Sequence, residues 1–179
     1  MSERKNAARF GWQRTGVRVV TTLLTLGMMV LIFCFSMEDA DRSDRTSGQI
    51  SMVVIHAAYP DYEREQPSVK RRIYDSVQHV VRKTAHFSEY ALLGLLMRFC
   101  LESWFGDRKR NGLLSWGLAT LYAGTDELHQ QLIDGRAGQW PDVLIDSCGA
   151  AVGVLIATLL LRLWKKKMEL PAGSMPGKD

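Results

Sequence analysis

The 179-residue sequence predicts an all-α integral membrane four-helix bundle, with a partly helical extracytoplasmic segment between the first and second transmembrane helices. Three observations carry that expectation. Residues 19–36 run for eighteen positions without a charge. Residues 143–164 are interrupted only by Asp146 and Arg162. Two further stretches, 84–101 and 112–128, are apolar in their middles and polar at one end. At a rise of about 1.5 Å per residue, each can cross a hydrocarbon core of about 30 Å. Bulk composition says little, because 46% hydrophobic residues and a mean hydropathy of −0.09 are values of ordinary soluble chains.

Taken in order, residues 1–18 form a basic N-terminus with Arg4, Lys5, Arg9, Arg14 and Arg18 ahead of the first span, 19–36. A basic segment followed by an apolar run also opens a signal peptide. Here the run is long for that purpose, and SMEDADRSD after it has no small-x-small cleavage pattern, so the span reads as an uncleaved anchor. Residues 37–82 form the extracytoplasmic segment. Within it SGQISMVVIHAAY (47–59) and SVKRRIYDSVQHVVRK (68–83) show helical spacing. Val69, Ile73, Val77, Val80 and Val81 predict an amphipathic helix lying on the bilayer. YPDYEREQP, punctuated by Pro60 and Pro67, predicts a break between the two. Residues 83–153 form a core of the second and third spans and the start of the fourth, whose helix covers 142–164. The tail, 165–179, ends in PAGSMPGKD, which reads as disordered.

Lys and Arg beside spans mark the cytoplasmic side. The N-terminus, the DRKRNG connection and the RLWKKK tail all carry such clusters, and an even number of crossings puts all three in the cytoplasm. The formal charge of +4 therefore reflects topology rather than nucleic-acid binding. Lys70, Arg71, Arg72, Arg82 and Lys83 count against this orientation, but eight acids share their segment. Cys34, Cys100 and Cys148 each fall inside a span and behave as small hydrophobes, with no disulfide or metal pair indicated. Neither a cofactor nor a metal is called for.

This orientation gathers ionisable groups at the outer surface. Arg82, Lys83, His86, Glu89 and Tyr90 open the second span, Asp126, Glu127 and Gln130 close the third, and Asp142 and Asp146 open the fourth. Arg136 lies in the connection between the last two, where Asp134-Gly135 and Gly138 permit tight turning. Each set forms one helical stripe, as expected if the three face one another. Asp126 and Glu127 sit at a helix C-terminus, the end that disfavours anions, so cationic partners or protonation are expected. Lys83, Arg82, Arg136, His86 and His129 are the available cations. Asp142 follows Pro141 and also suits a plain helix start. GAAVG (149–153) reads as a small-residue packing face and Trp140 as an interfacial anchor. The cytoplasmic ends are expected to hold only ordinary flanking Lys and Arg.

RKTAHFSEYALLG (82–94), DELHQ (126–130) and DGRAGQWPDVLIDSCGAAVG (134–153) resemble, in order, the signature of VanZ-like membrane proteins. The matching positions are Lys83, His86, Phe87, Glu89, Tyr90, Asp126, Glu127, Gln130, Gly135, Arg136, Asp142, Asp146 and Gly149. FSMEDADRSDRTSG is similar to the family's Ser-rich outer segment, more loosely. The resemblance implies a bacterial cell membrane and a role in tolerance of glycopeptides such as teicoplanin; it implies no particular reaction. Three readings follow. The polar groups form a pocket binding an anionic cell-surface or lipid-linked ligand, in which Arg136 and Lys83 grip the head group. Alternatively they act as a membrane enzyme, with His86 or Glu127 as general base and Lys83 or Arg136 stabilising developing charge. Or they are a buried polar network that only fixes helix packing. A proton-coupled transporter is a lesser reading, for want of matching residues at the other face.

Overall fold

A computed structural model describes residues 14–37, 40–131 and 140–169. Arg136, the Asp134-Gly135 turn and the PAGSMPGKD tail lie outside the described residues. Among those described there are five α-helices and no strand: α1 (Thr15–Ser36), α2 (Ala40–Ala58), α3 (Pro67–Phe105), α4 (Asn111–Gln130) and α5 (Trp140–Glu169). All four expected apolar stretches are helical, and so are both helical patterns of the segment between the first two.

The largest departure from expectation is α3. The amphipathic stretch 68–83 is not a separate helix lying across the ends of the others; it runs without interruption into 84–105. Nothing in the sequence stops it, since no proline lies between Pro67 and Phe105 and Gly94 is the sole glycine there. Its 39 residues make a rod of about 58 Å. Pro67 opens the rod in its first turn, where a missing N–H costs nothing. Gly106, at φ 68, closes it.

Before α3, the YPDYEREQP break contains a short 3₁₀ turn at Tyr62–Arg64. Lys70 Nζ donates to Glu63 Oε2 across it at 2.9 Å, and His56 Nε2 lies 3.3 Å from Oε1. The hydrogen bond from Lys70, and then that from His56, hold the Glu63 carboxyl below its ordinary range.

α3 touches every other helix. The α1 and α2 helices run antiparallel to it: Thr21 and Ser103 hydroxyls meet at 3.0 Å, and Gln78 Nε2 donates to Ser47 Oγ at 3.4 Å. The most extensive interface is with α5, and small residues make it possible. A Cβ on Gly149 or Gly153 would strike the carbonyl oxygens of Phe87 or Ala91, and one on Gly94 that of Ala150. The GAAVG packing face is thus a backbone-to-backbone contact. The core beside it is built from Met28, Ile32, Tyr90, Leu93, Met97, Ala119, Ala123 and Ala150.

Two helices, α1 and α5, are long and apolar enough to cross a membrane. α3 and α4 do not reach that level because their polar ends carry the residues described next.

Candidate functional site

One end of the bundle concentrates the ionisable groups that the sequence singles out. The helical period puts Lys83, His86 and Tyr90 along α3, Asp126, Glu127 and Gln130 in the last turn of α4, and Asp142 and Asp146 in the first turns of α5. Lys83 forms an ion pair with Asp142, so α3 and α5 are tied together at this end. Asp142 also lies in the first turn of α5, where an acid complements the helix dipole. Asp142 is thus both a helix-start acid and the partner of Lys83. Asp146, one turn deeper, is 2% exposed and lies within electrostatic reach of Asp126, Asp142, Glu127 and Glu89. The acids of three helix segments do converge.

Among the described residues, Ser36 Oγ donates to Asp126 Oδ2 at 2.7 Å, and Gln130 Nε2 donates to the same oxygen at 3.2 Å; Arg136, one of the expected cations, lies outside them. Gln130 Nε2 also reaches Ser36 Oγ at 3.2 Å, which closes a triangle. All three side chains are buried. Ser36 was not a sequence-level candidate, although it falls inside the FSMEDADRSDRTSG stretch. As the last residue of α1 it brings a fourth helix into the polar layer.

Tyr122, one turn before Asp126, donates to the Met29 carbonyl of α1 at 2.7 Å, and its ring lies 6.4 Å from that of Tyr90. The His129 ring packs on Phe33 at 4.9 Å. Arg82, His86 and Glu127 each keep interactions of their own, and Arg82, His86 and Glu89 are half-buried. The Tyr90 hydroxyl, Asp126 Oδ1 and Asp146 Oδ1 are buried without a hydrogen-bond partner among the described residues. Buried polar atoms are ordinarily bonded, so these three mark where the layer can take another hydrogen-bonding group.

Beside Lys83 the α3–α5 contact opens into a groove of about 390 Å³, lined by His79, Val80, Lys83, Thr84, Phe87 and Ile145. His79, an exposed residue of the 68–83 stretch, is among them.

The opposite end overturns an expectation. In place of flanking cations alone, it holds a buried ionic network. Arg98 Nη1 donates to Glu102 Oε2 at 2.8 Å, and Lys165 Nζ donates to Glu102 Oε1 at 2.6 Å. Arg98 Nε reaches Thr158 Oγ1 at 3.3 Å, and Lys165 also pairs with Asp107 at 3.0 Å. Arg98 and Glu102 are almost wholly buried. Charges of opposite sign four apart inside an apolar stretch were the available signal. Lys165, expected from the sequence to be one of the flanking cations of the RLWKKK tail, turns inward to complete the network.

The family model for VanZ/LLP1 matches residues 21–162, a range that contains all three motif blocks and, of the buried network at the other end, Arg98 and Glu102 but not Lys165. No curated protein and no solved structure matches the chain. With most of its length matched, the chain belongs to the VanZ/LLP1 family.

Proposed function

We propose that this is a four-pass protein of the bacterial cell membrane, with both termini in the cytoplasm. Its outward polar layer binds an anionic cell-surface or lipid-linked ligand and thereby contributes to glycopeptide tolerance of the teicoplanin type. The observation that carries the membrane reading is an inverted distribution of side chains. On α4, Leu113 and Leu121 are 68% and 66% exposed, while Asn111, Ser115, Asp126, Glu127 and Gln130 are buried. A water-soluble helix does the reverse. Lipid is the solvent that favours this arrangement, and it accounts for α4 as a crossing although its average hydropathy is modest. α3 fits the same slab. Lys83 and Glu102, each in an ion pair with α5, stand about 28 Å apart along the helix axis, close to the hydrocarbon thickness.

The ligand reading rests on Lys83 and Asp142 at the outer boundary, on the buried carboxylates behind them, and on family membership. The test is expression in a glycopeptide-sensitive bacterium. Wild-type protein raises the inhibitory concentration of teicoplanin, and Arg136→Ala, present in the membrane at the same level, returns it to that of cells without the protein. Unchanged tolerance in the Arg136→Ala cells contradicts the reading.

The purely structural reading keeps one observation in its favour, the Ser36–Asp126–Gln130 triangle, whose three hydrogen bonds close within the chain. Under that reading Lys83→Met costs stability in detergent and leaves the protein that reaches the membrane active; under ours the protein that reaches the membrane is inactive.

A further inference from the structure

We infer that the groove between α3 and α5 is a lateral site for one membrane lipid with an anionic phosphate head group, and that His79 belongs to it. This inference rests on the four-pass reading and names the ligand class of that outward layer. The groove presents a mostly apolar surface, as an acyl chain requires, and its lining includes three residues that carry hydrogen-bond donors, His79, Lys83 and Thr84, of which Lys83 brings a positive charge suited to a phosphate. Val80, Phe87 and Ile145 offer only apolar surface.

From His79 to Phe87 the rise along α3 is about 12 Å, the scale of the step from head groups to acyl chains. Lys83 opens the apolar stretch of α3, so the groove straddles that boundary. Asp142 already holds Lys83, but an ammonium carries three donors, and phosphate can join as a further acceptor. The volume of about 390 Å³ lies in the range of small-molecule sites. His79, Val80 and Thr84 are exposed, so the groove is open at the side rather than sealed within the bundle. A fully water-soluble anion would leave the Phe87–Ile145 part unused.

Native mass spectrometry of the full-length protein, titrated with phosphatidylglycerol, phosphatidylcholine or glycerol phosphate, tests this directly. Phosphatidylglycerol is expected to be retained about tenfold better than phosphatidylcholine, with glycerol phosphate unable to displace it. Ile145→Trp fills the groove and should lower phosphatidylglycerol retention about tenfold. Val80→Trp does the same from an exposed rim position, in case the first variant folds poorly. Equal retention of the two lipids, displacement by glycerol phosphate, or undiminished retention in Val80→Trp would each overturn the inference. Teicoplanin tolerance is measured on cells and stands or falls separately.

Discussion

Gly153→Val is expected to cost at least about 3 kcal/mol of stability and to separate α3 from α5. A Cβ at this position falls inside the Ala91 carbonyl and against the Leu95 amide. Both are backbone atoms of a continuous helix, so neither can rotate aside as a side chain would. The helices must part, and separation weakens two ion pairs joining the same helices, Lys83–Asp142 and Glu102–Lys165. Loss of packing and of charge pairing thus reinforce each other. Gly117→Val and Gly124→Val are the controls, because a Cβ at either meets nothing within 4 Å. Those two should melt near the wild type, since valine in a helix is no worse than glycine. A Gly153→Val protein as stable as these controls would show that α3 and α5 are not in backbone contact.

Glu102→Gln is expected to lower the melting temperature by about 10 °C, equivalent to roughly 3–5 kcal/mol. Glu102 is 2% exposed and accepts from both Arg98 and Lys165. Neutralising it leaves the buried Arg98 without that counter-ion near an apolar phase, where an uncompensated charge is most expensive, while Lys165 keeps Asp107. The defining measurement is recovery. Arg98→Met combined with Glu102→Leu removes the buried pair together, and apolar replacement of such pairs is often neutral or stabilising. The double variant should therefore melt well above Glu102→Gln. Equal melting of all three proteins would mean that the network is absent.

How far the sequence disclosed the fold differs by helix, and the reason is physical. α1 and α5 were legible because apolar runs of their length have few uses other than crossing lipid. α3 and α4 were legible as apolar segments with polar ends, but hydropathy averages over a helix and cannot tell an inward Asp126 from an outward one. The fusion of 68–83 with the following stretch was foreshadowed only by the lack of a breaker. Residues now seen to meet across helices were harder. Lys83 and Asp142 stood out as charges, whereas Ser36 is a small hydroxyl 90 positions from Asp126 and carries no local sign of its partner. Arg98 and Glu102 did carry one, their spacing of four, but Lys165 looked like its neighbours Lys166 and Lys167. Side-chain direction, not residue type, decided its role.

The central claim is that α4 crosses the bilayer with its acidic end outside. Cysteine labelling tests it most directly, in a background lacking Cys34, Cys100 and Cys148. Thr125→Cys lies beside Asp126 on an exposed surface, and Lys109→Cys lies beyond the other end of the helix. With a membrane-impermeant maleimide on intact spheroplasts, Thr125→Cys should react and Lys109→Cys should react only after permeabilisation. Reaction of both from the same side, or of Thr125→Cys from the cytosol alone, would contradict the account.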